Sequence, residues 1–169
     1  MKAAIRVQLS RLIRLNRTRT DFQAKFEDLI ASYNAGSRNI DDLFKERLEL
    51  SQSLTDEQQC HVREQLSEEQ LTVFDILTRP GPDLNRPERD EVKKVAKALL
   101  DKVKAASVLD WRQKAQARAR VKLAIEDTPD GGLPLAYTPE LYRTKVSAVF
   151  EHVFESYQDE GASVFTHVA

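Results

Sequence analysis

The sequence predicts an all-α fold, an irregular multi-helix bundle of about eight helices with no sheet. Apolar residues recur at helical spacing in every long segment, and no segment shows the strict apolar–polar alternation of a half-buried strand. Residues that open or close helices lie between these segments. The 169 residues suffice for one domain with a buried core.

The first predicted helix carries a basic arm. Ile5, Leu9, Leu12 and Ile13 form its apolar stripe, and no capping residue precedes them. We therefore expect this helix to continue a longer one, and the chain to be a piece of a larger protein. Residues 1–20 contain no acid and six basic residues, which are Lys2, Arg6, Arg11, Arg14, Arg17 and Arg19.

Capping patterns define the next two predicted helices. Thr20 and Gln23 form a capping-box pattern at the start of the second helix, and Gly36 can adopt the left-handed conformation after its end. Asn39 or Asp41 opens the third helix, which we expect to end near Ser53. The inward-facing residues are predicted to be Phe22, Phe26, Leu29, Ile30 and Tyr33 in the second helix, and Ile40, Leu43, Phe44 and Leu48 in the third.

The acidic middle of the chain, residues 39–75, holds ten acids against three bases. Two capping-box patterns, Thr55 with Gln58 and Ser67 with Gln70, predict two short helices here, and Leu71, Phe74 and Leu77 would bury the second. The net charge of residues 39–75 is opposite to that of the basic arm. The two could pack against each other within the fold, or each could face a partner.

A proline-rich stretch separates two halves of the predicted domain. Three prolines within residues 79–87 stop helix formation and predict an extended joint. Pro87 suits the first position, N1, of a sixth helix, and Thr138 with Pro139 caps a final helix. The predicted division is a single domain, 1–169, with N-terminal helices at 1–78, the joint at 79–87, C-terminal helices at 88–157 and a tail at 158–169. The apolar stripe of the sixth helix is Val92, Val95, Ala96, Leu99, Leu100 and Val103, and that of the final helix is Leu141, Tyr142, Val146, Val149, Val153 and Tyr157.

Residues 108–127 predict a basic helix with an aromatic anchor. Trp111, the only tryptophan, is expected to fill the junction between the sixth and seventh helices. Five basic residues follow it before the next acid, Glu126, and they are Arg112, Lys114, Arg118, Arg120 and Lys122. Their charge suits duplex phosphates, an acidic protein surface, or a solvated face. Candidate partner or phosphate contacts are these five residues together with Arg11, Arg14, Arg17 and Arg19.

The chain predicts no catalytic, cofactor or metal residue. Asp83, Glu91 and Lys93 have the letters of a metal-dependent nuclease signature, but a helix at Glu91–Lys93 would point those two side chains about 200° apart. No glycine-rich phosphate loop with a lysine is present. The one cysteine and three histidines do not predict a structural zinc site, because Cys60 and His61 are adjacent and diverge on a helix, while His152 stands alone and His167 lies in the tail. Cys60 is expected to be an inert, half-buried thiol. A single cysteine and the lack of a long apolar run predict a cytoplasmic protein without a membrane partner.

Several blocks resemble the C-terminal helical region of the restriction (motor) subunit of type I restriction-modification enzymes. They are Leu-Asn-Arg-Thr-Arg-Thr-Asp-Phe at 15–22, Tyr-Asn-Ala-Gly-Ser at 33–37, Leu-Ser-Glu-Glu-Gln-Leu-Thr-Val-Phe-Asp-Ile-Leu-Thr at 66–78, Val-Lys-Lys-Val-Ala-Lys at 92–97, Leu-Asp-Trp-Arg at 109–112, and Val-Phe-Glu-His-Val-Phe-Glu-Ser-Tyr at 149–157. Together they cover nearly everything from Ile5 to Tyr157.

This resemblance implies a non-catalytic part of a DNA-translocating machine. Such a region docks onto the methyltransferase and specificity subunits and follows the upstream motor domains of its own chain, where ATP and Mg²⁺ act. The resulting hypothesis is an assembly domain. The alternative is a helical module that binds duplex DNA through the basic arm and basic helix.

Overall fold

The computed structural model describes residues 2–36, 39–130, 132–157 and 163–165. Over these residues the chain forms eight α-helices and no strand, which confirms the predicted all-α fold class. The helices are α1 (Lys2–Leu15), α2 (Thr20–Asn34), α3 (Ile40–Gln58), α4 (Cys60–Arg63), α5 (Glu68–Thr78), α6 (Arg86–Ala106), α7 (Ala115–Asp130) and α8 (Pro139–Ser156). A 3₁₀ turn at Arg17–Arg19 lies between α1 and α2.

The chain divides into two compact units, Met1–Gln65 (unit 1) and Leu66–Ala169 (unit 2). The predicted joint at residues 79–87 lies within unit 2. The division of a single domain at that joint stays a prediction. Within the predicted tail, residues 158–162 and 166–169 lie outside the described part of the chain.

In unit 1, α1, α2 and α3 pack around one apolar cluster. Its buried members are Ile5, Leu9, Leu12, Phe26, Leu50 and Leu54, and Phe22 and Ile30 pack against them half-buried. Asn16, which is fully buried, closes α1 and caps the 3₁₀ turn. Its Oδ1 accepts hydrogen bonds from the Thr18 amide at 3.1 Å and the Thr18 hydroxyl at 2.8 Å. A polar side chain is therefore accommodated in this core because its acceptor is satisfied.

Two of the predicted helix caps in unit 1 are wrong. Thr20 is the first residue of α2, and the capping position before it, Arg19, makes no side-chain cap. Thr55 lies inside α3, where its hydroxyl donates to the Ser51 carbonyl at 3.0 Å, and so α3 runs on to Gln58 instead of ending near Ser53. A threonine hydroxyl that can reach the carbonyl one turn back is compatible with a helix interior, and this outweighed the capping pattern.

Three apolar side chains predicted to face inward are exposed. Phe44 is 57% exposed, Leu48 is 47% exposed and Tyr33 is 38% exposed. Leu43 and Leu50 instead supply the buried face of α3. The side chain of Ile40, also predicted to face inward, lies outside the described residues. Gly36 does adopt the left-handed conformation predicted for it, with φ +72.

Unit 2 is organised around α5 and α6. Every residue from Leu71 to Thr78 is buried, including the predicted Leu71, Phe74 and Leu77. The predicted stripe of α6 is buried as a whole. Capping boxes open both helices, Ser67 with Gln70 at α5 and Asn85 with Glu88 at α6. The Ser67 capping box, Pro87 in the first turn of α6 and the Thr138 cap of α8 are thereby confirmed.

Two side chains tie loops of unit 2 to its helices. The buried ammonium of Lys145, on α8, donates to the carbonyls of Arg79 at 2.8 Å and Pro80 at 3.2 Å. The Tyr137 hydroxyl donates to the Leu77 carbonyl at 3.1 Å. Burial lowers the pKa of Lys145 and raises the pKa of Tyr137 to about 12. The loop after α5 and the loop before α8 are therefore held by specific hydrogen bonds.

Candidate functional site

Helix α7 presents one buried face and one exposed face. Ala117, Val121 and Ile125 recur at every fourth residue and are buried in unit 2. The Tyr142 hydroxyl of α8 donates to the Glu126 carbonyl of α7 and fixes the helix from the side. The exposed face carries three of the five residues predicted for the basic helix, and the buried face fixes its position in unit 2.

Trp111 anchors the chain just before α7, and its place between the sixth and seventh helices stays a prediction. Its side chain is 0% exposed, and its ring meets the Phe154 ring of α8 edge to face, with 5.8 Å between centroids. An edge-to-face pair of this kind adds to the apolar burial of both rings. The segment that leads into α7 is therefore fixed to α8.

The basic helix is shorter than predicted. Residues 109–113 form a turn, and α7 begins at Ala115, so that Trp111, Arg112 and Lys114 precede the helix. Asp110 takes a left-handed conformation in this turn, with φ 58. Aspartate tolerates this conformation better than most residues do. Ser107, which ends α6, bonds back to the Val103 carbonyl at 2.7 Å, and this closes α6 before the turn.

Arg112 and Lys114 both contact residues of unit 2. The Arg112 guanidinium donates to the Phe154 carbonyl at 3.2 Å and lies over the Phe154 ring, 5.7 Å from its centroid. The Lys114 ammonium donates to the Leu109 carbonyl at 3.1 Å and lies 3.9 Å from the Asp110 carboxylate. Arg112 is half-buried, so its charge supports the Trp111 junction rather than the exposed surface.

Three basic residues of α7 point to solvent. Lys122 lies 3.8 Å from the carboxylate of Glu126, and both side chains are largely exposed. Arg118 and Arg120 are exposed, and neither side chain has a hydrogen-bond or ion-pair partner within the described part of the chain. We call Arg118, Arg120 and Lys122 the α7 basic surface.

The basic arm separates into exposed and buried arginines. Arg11, Arg14 and Arg17 are exposed on α1 and the 3₁₀ turn. Arg19 is 0% exposed, and its Nε donates to the Glu57 carboxylate of α3 at 3.0 Å. The prediction that Arg19 contacts a partner or phosphate is not compatible with this burial. Arg19 instead shows the internal packing of the basic arm against the acidic middle, which was one of the two readings of the charge pattern.

The residues of the nuclease-like signature, Asp83, Glu91 and Lys93, do not form a carboxylate cluster. Glu91 lies on a helix, as predicted, and is exposed on α6, while Lys93 lies 3.5 Å from Asp90 on the same helix. Among the residues that the structure describes, no three His, Cys, Asp or Glu side chains are grouped to hold a metal ion. Within the same residues, no helix combines the length and apolar character needed to cross a membrane.

His152 of α8 belongs to a buried polar cluster in unit 2. Its Nδ1 lies 3.2 Å from the hydroxyl of Ser156, and its ring meets the rings of Tyr157 and Phe165. Burial and the charge of Glu69 raise the pKa of Tyr157. His152 and Ser156 are both buried, so this pair packs the last turn of α8 and is not accessible to a substrate.

The prediction from sequence missed Leu123, which is 53% exposed on α7. Helical spacing could have found it, because Leu123 follows the buried Val121 by two residues, which is about 200° around a helix. It missed Phe154 for a different reason. Only the folded chain shows that this ring contacts both Trp111 and Arg112.

Comparison with models of protein families relates most of the chain to a known family. No curated protein and no solved structure matches the chain significantly. The family described as "Type I restriction enzyme HindI endonuclease subunit-like, C-terminal" matches residues 1–159. The resemblance drawn from the sequence is therefore confirmed.

Proposed function

Because the chain belongs to the C-terminal family of type I restriction enzyme HindI endonuclease-like subunits, we propose that it is a non-catalytic docking domain. Through it, the motor subunit would associate with the methyltransferase and specificity subunits. ATP and Mg²⁺ would act in the upstream motor and nuclease domains of the same subunit. In this proposal residues 1–169 bind no cofactor and act in the cytoplasm.

The α7 basic surface is the observation that carries the proposal. The side chains of Arg118 and Arg120 are exposed and have no partner within the described residues, while another face of their helix is buried. Long cationic side chains on a fixed helix favour encounter with an anionic surface and orient the partner. Because Trp111 fixes the chain before α7, the surface is formed before binding and needs little rearrangement.

The test is co-purification of the full motor subunit with the methyltransferase–specificity complex. We expect the Arg118→Glu, Lys122→Glu double variant to bind at least about tenfold more weakly than the unaltered subunit, which corresponds to about 1.4 kcal/mol. The matched control is Lys94→Glu with Lys97→Glu, two exposed cations on α6 of the same unit. This control should bind as the unaltered subunit does.

Failure of the unaltered subunit to co-purify with the complex would reject docking. If the α7 variant binds as tightly as the unaltered subunit, the α7 basic surface is rejected as the docking surface. Equal weakening in both variants would indicate dependence on total charge, without a specific surface.

Duplex-DNA binding is the second candidate, because the exposed Arg11 and Arg14 lie on α1, and Arg17 follows them. Phosphate binding by these residues and the α7 basic surface would release counterions. The logarithm of affinity would then fall with the logarithm of salt concentration by roughly 0.9 for each phosphate neutralised. A flat salt dependence, with negligible DNA affinity near physiological salt, would exclude this candidate.

A further inference from the structure

An exposed leucine lies in the middle of the α7 basic surface. Leu123 is 53% exposed, and Ala119, one turn earlier, is exposed as well. Side chains four residues apart lie above one another on a helix. Ala119 and Leu123 therefore form a short apolar ridge on the solvent side of α7, opposite the buried Val121.

Cations flank this ridge on both sides. Successive residues turn by about 100° around a helix, so Arg118 and Lys122 lie on one side of the ridge and Arg120 on the other. From Ala115 to Lys122 α7 contains no acid, and Glu126 and Asp127 follow only near its C-terminal end. The surface thus combines an apolar centre with a basic rim over residues 118–123 of α7.

This combination fits a protein better than it fits duplex DNA. A phosphate backbone interacts with the cations but offers no apolar surface to cover Leu123. A protein helix can bury the leucine and still place acids opposite the cations, which is the arrangement of an apolar seam with charged flanks. The small side chain of Ala119 lets a second helix approach to the 8–10 Å typical of packed helices.

We propose that α7 binds an acidic amphipathic helix of the partner, which covers Ala119 and Leu123 with apolar residues about one turn apart and places carboxylates on both flanks. The proposal rests on the docking function argued above and specifies the chemistry of the docked element. The acids of that helix lie opposite Arg118, Arg120 and Lys122. Opposite Glu126 and Asp127 the partner helix carries no acid, since like charges would repel.

Substitution of Leu123 by lysine separates a protein partner from DNA by the sign of its effect. Leu123→Lys removes the apolar centre and adds a cation. For a helix partner we expect affinity of the full motor subunit for the methyltransferase–specificity complex to fall at least about tenfold, whereas Leu123→Met should leave it within about threefold. For a phosphate surface the added cation would strengthen DNA binding. Unchanged fluorescence of Trp111 in residues 1–169 with the same substitution serves as the check that unit 2 remains folded in each variant.

The outcomes distinguish the two proposals. No binding by the unaltered subunit rejects docking itself. Binding that Leu123→Lys leaves unchanged or strengthens rejects the helix partner while docking stands. A loss of affinity for the complex with Leu123→Lys, and none with Leu123→Met, supports the helix partner.

Zero-length carbodiimide coupling in the complex then tests the acids directly. We expect the Lys122 amine to form an amide with a carboxylate in an acidic helical segment of the partner. Coupling of Lys122 only to residues of its own chain would overturn the proposal.

Discussion

Arg19 and Glu57 form a buried ion pair within unit 1. The Arg19 Nε lies 3.0 Å from the Glu57 Oε1, and the two side chains are 0% and 12% exposed. The residues are 38 positions apart in sequence, so the pair joins the turn after α1 to the last part of α3. Removal of one member leaves a buried charge without its partner, which is costly, whereas removal of both leaves an apolar contact.

Glu57→Leu should therefore reduce the free energy of unfolding of the chain by about 3–5 kcal/mol. The double variant Arg19→Met, Glu57→Leu should recover most of this loss, because no buried charge remains. Urea unfolding followed by circular dichroism measures both. Glu49→Leu, at an exposed acid of the same helix, is the control and should change stability by less than about 0.5 kcal/mol. Equal stability of Glu57→Leu and Glu49→Leu would contradict the prediction.

Trp111 should be one of the residues on which the stability of unit 2 depends most. It is 0% exposed and contacts Phe154 at the entry to α7. Trp111→Ala should lower the free energy of unfolding by about 3–5 kcal/mol, because it leaves a cavity and removes the aromatic pair. Trp111→Phe should lose less stability, since a smaller ring still fills part of the site. Thermal unfolding followed by circular dichroism measures the order of stability of the two variants. An alanine variant that unfolds at the same temperature as the unaltered chain would refute the prediction.

Local signals predicted the helix ends of unit 2 better than those of unit 1. The capping box of Ser67 with Gln70 forms within four residues, so the sequence alone contains the information. Thr55 with Gln58 has the same capping-box pattern, but α3 continues through Thr55. The choice between the two outcomes depends on packing, because Leu54 is fully buried next to Thr55 and keeps this turn of α3 in the core.

The sequence predicted which basic residues belong to the site but not which of them are exposed. Arg118, Arg120 and Lys122 are exposed, as a basic helix requires, whereas Arg112 and Arg19 are held by contacts with Phe154 and Glu57. Those partners lie about 40 positions away in sequence. A pattern of nearby residues carries no information on such contacts, and for this reason sequence reasoning assigned both arginines to a surface.

Gly132 lies against α6 with no room for a side chain. A Cβ at this position would lie 2.8 Å from the Cγ2 of Val95, which is itself buried. Gly132→Ala should therefore lower the free energy of unfolding by about 1–3 kcal/mol through overpacking. In a Val95→Ala background the same substitution should cost much less, because the clashing methyl groups are gone. A double-mutant cycle in urea measures this coupling, and additive effects of the two substitutions would argue against the close contact.

The buried ammonium of Lys145 gives the stability of the chain a defined dependence on pH. Burial lowers the pKa of Lys145 below its ordinary value of 10.5, so below that value the unfolded chain binds a proton that the folded chain binds less well. Stability rises with pH where the unfolded state binds more protons. The contribution of Lys145 to stability should therefore increase as the pH rises toward 10.5 and stay constant well below its folded pKa.

Lys145→Met isolates this contribution. The variant loses the hydrogen bonds to the carbonyls of Arg79 and Pro80, so it should be less stable than the unaltered chain at neutral pH. The difference between the two should grow with pH up to 10.5, by at most about 1.4 kcal/mol per pH unit. Tyr137, whose pKa is raised to about 12, lowers stability as the pH rises above 10, but it does so in both proteins and cancels in the difference. Urea unfolding of both proteins between pH 7 and pH 10.5 supplies the comparison. A difference that stays constant or shrinks over this range would show that the ammonium is not disfavoured by its burial.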